Sequence, residues 1–194
     1  MVSAMFKIIK KIINCVVLIM SSLVGMNAIA DNSAPSDKCL VLTLKYGDVQ
    51  IKLRPDLAPN HVARIIELTN QGFYNGVVFH RVMKGFMAQT GDPTGTGMGG
   101  SGKKLKAEFS EASHIRGVVS MARASSPDSA DSQFFIVLAD SKFLDRQYTV
   151  FGEVVKGMPF VDLIKKGDLN DNGKVTDPDS IISAKIIDGC GDSQ

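Results

Sequence analysis

"CLVLTLKYGDVQIKLR", Cys39 to Arg54, decides how the rest of the chain is read. Apolar and polar residues alternate with period two on either side of Tyr46-Gly47-Asp48, the pattern of two strands joined by a tight turn. A hairpin is expected, with strands near 39–45 and 49–54 and Gly47 in the turn. The next stretch, "APNHVARIIELTNQG", changes period. Pro59 and Asn60 can start a helix, Val62, Ile65, Ile66 and Leu68 mark its apolar stripe, and Gly72 can end it. Strands then fit "VVFHRVM", "GFMAQTG", "GVVSMA", "SQFFIVL", "YTVFGEVV" and "SIISAKII", and Gly157 to Lys166 reads as a second short helix. Eight strands and two helices without regular βαβ alternation predict a mainly-β domain, an eight-stranded closed antiparallel β-barrel capped by two α-helices.

Upstream of the hairpin the composition is different. Lys7, Lys10 and Lys11 precede an apolar run from Ile12 to about Met26, and Ala28-Ile29-Ala30 follows. Basic start, short apolar run and small residues are the parts of a signal peptide. The expectation is a segment 1–30 cleaved after Ala30, a loose polar leader at 31–38, and one domain over 39–190. The alternative for 1–30 is an uncleaved amphipathic anchor. The full chain of 194 residues carries a net charge of +2 from 22 basic and 20 acidic residues. Loss of three lysines leaves nineteen basic against twenty acidic groups, a net of −1, so no basic surplus remains to argue for nucleic acid. Export would place the domain in the periplasm, or outside the cell. It would also leave two cysteines, Cys39 and Cys190, at opposite ends of the domain. They are either a disulfide, if the terminal strands are neighbours, or two free thiols.

Two stretches imitate other chemistry. In "GTGMGGSGKK", Gly95 to Lys104, the spacing Gly97-x-x-x-x-Gly102-Lys103 nearly spells a phosphate-binding loop. Such a loop needs Ser or Thr after the lysine and a helix opening behind it. Lys104 and the short "LKAEF" supply neither, so nucleotide binding is not expected. In "DLNDNGKVTDPD", Asp168 to Asp179, the residues Asp168, Asn170, Asn172, Gly173 and Asp179 fit a calcium-loop spacing. The last position is an aspartate preceded by Pro178, and a strand follows where a helix should, so a turn-rich connector is the reading preferred.

Three ordered blocks carry the strongest signal. "FHRVMKGFMAQTGDPTGTGMGG" from Phe79, "GVVSMARASSPDSADSQFFI" from Gly117 and "FLDRQYTVFGEVVKGM" from Phe143 resemble the signatures of the cyclophilin peptidyl-prolyl cis–trans isomerases. The likeness runs from about Cys39 to Ile187. It implies an eight-stranded barrel with two helices, proline-containing polypeptides as substrates, and no cofactor, metal or nucleotide. It also implies a reaction without bond cleavage: rotation about the bond preceding proline, against a barrier of ~18–20 kcal/mol set by amide resonance.

The resemblance assigns roles that make chemical sense. Arg81 would donate to the prolyl nitrogen, whose lone pair localises as the bond twists; a fixed cation there favours the transition state over the planar ground state. Phe86, Met87, Phe135 and Leu144 would line a slot for the proline ring. Gln89 and Gln133 would hold the substrate backbone and orient the arginine. Ala122, Arg123 and Ala124 would run alongside the peptide, with His80 near the site.

Three positions depart from familiar members. Phe143 stands in place of tryptophan and Tyr148 in place of histidine, which keeps an apolar wall and a hydroxyl but predicts weak or no cyclosporin binding. Arg123 replaces asparagine and adds charge that would favour acidic residues in the bound peptide. The resemblance and the signal-like segment together lead to an exported prolyl isomerase, expected to be a monomer. The rival is a proline-segment-binding chaperone module of the same fold with little turnover.

Overall fold

In a computed structural model of the chain, residues 38–190 are described, and the segment 1–30 and most of the leader fall outside them. Strand β1 (Lys38–Leu44) pairs with β2 (Gly47–Leu53) in an antiparallel hairpin that places Leu44 opposite Gly47. The turn is therefore Lys45-Tyr46, and Gly47 already belongs to β2. Its φ of 139° is open to glycine alone, and a Cβ there would meet the Phe160 ring at 2.5 Å.

Helix α1 (Pro59–Asn70) begins with proline at its first turn and lays Val62, Ile65 and Leu68 on the core. Its cap residue, Ala58, offers no side chain to the free amides. Glu108 does so from elsewhere in the chain, accepting from the Asn60 N–H at 3.2 Å and the His61 N–H at 3.1 Å. A carboxylate there satisfies orphan donors and complements the helix dipole.

The remaining strands are β3 (Arg81–Met83), β4 (Met87–Thr90), β5 (Val118–Met121), β6 (Phe134–Val137), β7 (Val150–Lys156) and β8 (Ser183–Asp188). Helix α2 (Met158–Leu163) is a turn shorter than the sequence predicts, because Ile164 turns to ψ 132° and leaves the helix. All strand pairs are antiparallel, in the order β3-β4-β6-β5-β7-β2-β1-β8.

The closed barrel is corrected here: the ladder curls but does not close. Its edges, β3 and β8, share no pairing, because Val77 to His80 do not extend β3 as a strand. Their backbone groups bond instead to the segment 175–181, with Phe79 N–H to Asp179 C=O at 2.8 Å and Ile181 N–H to Val77 C=O at 2.9 Å. Irregular chain, not an eighth ladder, satisfies the edge.

Cys39 on β1 and Cys190 just past β8 form a disulfide, their Cα atoms 5.1 Å apart. The neighbouring terminal strands make this geometry available. No helix among the described residues is long and apolar enough to cross a membrane.

Candidate active site

Alternation along the strands sorts residues onto two faces. Val82, Ala88, Val119, Met121, Phe134 and Ile136 enter the main core under α1. Their sequence neighbours Met87, Val118, Phe135 and Val137 form a second, smaller apolar cluster with Leu144 and Val150. The run "FFIV" in β6 is apolar throughout because both its faces are covered.

The register then lines up one row across the sheet on that second face. Arg81 stands opposite Gln89, Gln89 opposite Phe135, and Phe135 opposite Ser120. Phe86, Met87, Phe135, Leu144 and Tyr148 wall a cavity of about 100 Å³, with Arg81 and Gln89 on its polar side and Ala122 and Arg123 at its edge. That volume suits one small ring, well under the size of a cofactor pocket.

The polar side is a chain of donors and acceptors. Arg81 Nη1 donates to Gln89 Oε1 at 3.1 Å, and Gln89 Nε2 donates to Gln133 Oε1 at 2.9 Å. Gln133 Nε2 in turn donates to the carbonyls of Gly97 at 3.0 Å and Gly99 at 2.8 Å. Burial lowers the pKa of Arg81 and the nearby Tyr148 raises it; an arginine so placed stays charged.

The back of the apolar wall is braced by His114. Its ring stacks on Phe135 at 6.3 Å, and it reaches Asp145 at 3.0 Å and Ser120 Oγ at 3.1 Å. This Asp-His-Ser chain cannot act on a substrate, because Ser120 is fully buried and its hydroxyl donates to the Thr149 carbonyl.

Not every residue predicted for the site lines this cavity. Ala124 and Gln133 border the adjoining cavity beside the glycine loop, which shares Gln89, Ala122 and Arg123 with the first. Phe143 is 66% exposed and stands at the rim, tilted against Phe86 with centroids 5.6 Å apart. His80 lies outside the apolar cavity. It is 8% exposed, with both ring nitrogens buried and unpartnered, and it borders a neighbouring hollow with Thr96 and Met98, which Arg81 and Gln89 also line. Burial pushes its pKa down from 6.5, Arg81 lowers it further and Asp92 raises it.

Both imitating stretches have structural occupations. In the glycine loop, Asp92 accepts from the amides of Thr94, Gly97 and Gly99, and Asp131 from those of Ser101 and Gly102. Amides that would cradle a phosphate are thus already paired with the chain's own carboxylates. In the 168–179 loop, Asp168 accepts from the Asn170 N–H and Asp179 pairs with Lys45. Asn172 is turned toward Arg81, which donates from Nε to its carbonyl and from Nη2 to its side-chain oxygen, both at 2.9 Å. Among the described residues, no group of three or more His, Cys, Asp or Glu is placed to hold a metal ion.

Asn172 is the residue that sequence reading passed over. The available signal was Asn172-Gly173, a pair that favours positive φ at both positions, here 51° and 77°.

Comparison with known proteins matches this geometry. The family described as cyclophilin type peptidyl-prolyl cis-trans isomerase/CLD matches residues 39–186. The chain belongs to the cyclophilin family.

Like its relatives, this cyclophilin is a peptidyl-prolyl cis–trans isomerase. It is 52% identical over 167 residues to a probable peptidyl-prolyl cis-trans isomerase of Brucella suis, covering 80% of this chain and 85% of that one. It is 44% identical over 137 residues to the human peptidyl-prolyl cis-trans isomerase-like 3, covering 68% and 84%. Among solved structures, a Cryptosporidium parvum cyclophilin-type isomerase crystallised with the dipeptide Ala-Pro superposes with a TM-score of 0.70 at 31% identity, over 78% of this cyclophilin and 99% of that chain. A cyclophilin from Hirschia baltica gives 0.67 at 29% identity, over 76% and 73%.

Proposed function

We propose that Arg81 drives the isomerisation, with the proline ring seated in the small cavity walled by Phe86, Met87, Phe135, Leu144 and Tyr148. The observation that carries this is the juxtaposition of one guanidinium and one ring-sized apolar slot on the same face of the sheet. A planar Xaa-Pro amide spreads its nitrogen lone pair into the carbonyl; twisting returns it to nitrogen. A guanidinium N–H held beside that nitrogen then gains an acceptor that exists only as the bond turns, so the barrier falls without covalent chemistry.

The cation is pre-aimed. Oxygen acceptors on Asn172 and Gln89 hold it, and its remaining contacts are thioether sulfurs, Met83 from Nη2 at 3.2 Å and, at the cavity wall, Met87 from Nη1 at 3.9 Å. A thioether is a weak acceptor that substrate displaces at little cost. Gln89 and Gln133, with the main chain from Ala122 to Ala124, hold the substrate backbone beside the slot.

The substrates proposed are proline-containing segments of exported proteins, met by a monomeric enzyme in the periplasm after cleavage behind Ala30. The signal-like segment and the Cys39–Cys190 bridge support this location, since disulfides persist in oxidising compartments. Cyclosporin is expected to bind weakly because Phe143 and Tyr148 replace the tryptophan and histidine of familiar members. A protease-coupled assay on a short Ala-Pro peptide tests the reading. Acceleration by the wild type is expected; peptide binding without acceleration would make the chain a holding module. Intact mass of the exported protein reports the cleavage.

A further inference from the structure

Where β5 leaves the sheet, its pairing with β7 stops. Ser120 is the last residue of β5 in register with β7, opposite Val150, and the Met121 N–H still reaches the Thr149 carbonyl at 2.9 Å. Beyond that point, among the described residues, no backbone hydrogen bond joins residues 122–125 to residues 145–148. Both segments nevertheless border the proline slot, Ala122 and Arg123 from one and Tyr148 from the other.

The Arg123 side chain spans this gap. Its Nε donates to the Gln147 carbonyl at 3.1 Å, and its Nη1 donates to the carbonyls of Ala124 at 3.0 Å and Ser125 at 3.1 Å. The guanidinium lies over the Tyr148 ring, 4.6 Å from its centroid. Tyr148 in turn meets Phe135 of the slot wall edge to face at 5.8 Å. A planar fork can hold several carbonyls and lie on a ring at once, which a compact ammonium cannot.

The backbone of the segment is largely accounted for. The Ala122 N–H donates to the Gln133 carbonyl at 2.9 Å, and the Ala124 N–H to Ser129 Oγ at 2.9 Å. The N–H and carbonyl of Arg123 itself have no internal partner among the described residues. Its side chain is thus committed to its own protein, while its main chain offers a donor and an acceptor to an extended peptide.

We propose that Arg123 is a positioning residue whose guanidinium latches the substrate-binding segment 122–125 to the Tyr148 wall and so fixes the mouth of the slot. It stands in for the ladder that ends at Ser120. Arg123 and Tyr148 are two of the three positions at which the sequence departs from familiar members of the family, and in the structure they touch. The inference rests on the placement of proline in the apolar slot.

The test is kcat and KM on an Ala-Pro peptide flanked by Gln, in a protease-coupled assay, for the wild type, Arg123→Ala, Arg123→Lys, Tyr148→Leu and the alanine–leucine double variant. Arg123→Ala should raise KM roughly tenfold, the scale of one hydrogen bond to a charged group. Its kcat should stay within about twofold, the pattern of lost uniform binding. Lysine keeps the charge without the fork and should recover less than half of the loss; a lysine variant equal to the wild type overturns the latch. In the double variant KM should rise by less than the product of the single effects, because the shared contact is lost once; a full product overturns the proposal. Melting temperatures of both Arg123 variants should remain near that of the wild type.

A second readout needs the wild type alone. The Arg123 Nε–H signal in heteronuclear NMR should stay in place as peptide saturates the protein. A shift on adding a Glu-flanked peptide but not the Gln-flanked one would make Arg123 a reader of substrate charge and overturn the latch. Unchanged kcat and KM in Arg123→Ala, beside an active wild type, overturn the latch and leave the slot assignment intact. A wild type that accelerates no peptide removes the slot assignment, and this inference with it.

Discussion

Asn172 holds Arg81 twice, its carbonyl accepting from Nε and its side-chain oxygen from Nη2, each at 2.9 Å. A guanidinium has five donors in a fixed fork, so two acceptors on one residue fix its plane as well as its position. The grip depends on a left-handed backbone at Asn172, φ 51°, and on Gly173, where a side chain would collide with Met83.

Removing half of that grip should loosen the cation without unfolding the domain. Asn172→Gly keeps the left-handed turn and the carbonyl but loses the side-chain acceptor. The expected outcome is a fall in kcat of roughly tenfold with KM little changed, the pattern for an interaction that matters as the bond twists. Asn172→Asp, which restores an acceptor, should recover most of the loss. Steady-state kinetics of both variants check this, and a KM effect alone would count against a positioning role.

The Cys39–Cys190 bridge closes a loop of 151 residues. In the chain-entropy view a loop of that order contributes about 4–5 kcal/mol, as an upper figure. Reduction, or replacement of both cysteines by serine, should lower the melting temperature clearly. The bridge lies at the terminal strands, apart from the residues walling the slot, so kcat/KM at room temperature should stay within about twofold. Calorimetry with and without reductant measures the first effect and peptide turnover the second.

Acid should weaken the domain in two stages. His80 has a folded pKa pushed below 6.5 by burial, so its stabilising neutral form is complete above 6.5 and is lost as pH falls below that value. Asp92 is fully buried, and burial opposes its charge, yet the amides of Thr94, Gly99 and Gly97 hold its pKa at about 2. Its contribution is complete above 3.8 and is lost as pH falls toward 2. Denaturant midpoints should therefore drop first below pH 6.5 and again below pH 4. In His80→Gln the first step should be reduced. Activity should be level above neutrality, since Arg81 does not titrate there.

Phe143 is the exposed half of a ring pair with Phe86 at 5.6 Å. Phe143→Trp would add apolar area and an N–H donor at the rim. Cyclosporin should inhibit the wild type weakly and this variant roughly tenfold more tightly, the scale of one added buried contact and hydrogen bond. An inhibition titration on both proteins checks it.

Much of this site can be read from strand alternation. Once "RVMKGFMAQ" is a hairpin in one sheet with the strand "SQFFIV", Arg81, Met87, Gln89 and Phe135 share a face by parity, and register sets Arg81 opposite Gln89 and Gln89 opposite Phe135. Parity also explains why His80, next in sequence to Arg81, does not line the apolar slot.

What could not be read depends on long-range backbone pairing. The open edge arises because Val77 to His80 bond to residues 175–181, a hundred positions away, in no regular pattern. The role of Asn172 was masked by a spacing that resembles calcium chemistry, and the glycine loop by one that resembles phosphate chemistry. In both, the deciding fact is which partner satisfies the polar groups, and composition does not carry that.

The central claim concerns one side chain and is best tested by the kcat/KM of Arg81→Ala and Arg81→Lys on an Ala-Pro peptide, beside the wild type. Loss of a preorganised donor at a developing charge costs on the order of 100- to 1000-fold. The alanine variant should fall by that amount, and lysine, a point charge without the fork, should recover only part of it. Peptide affinity and melting temperature should remain near those of the wild type. An alanine variant as fast as the wild type would contradict the account.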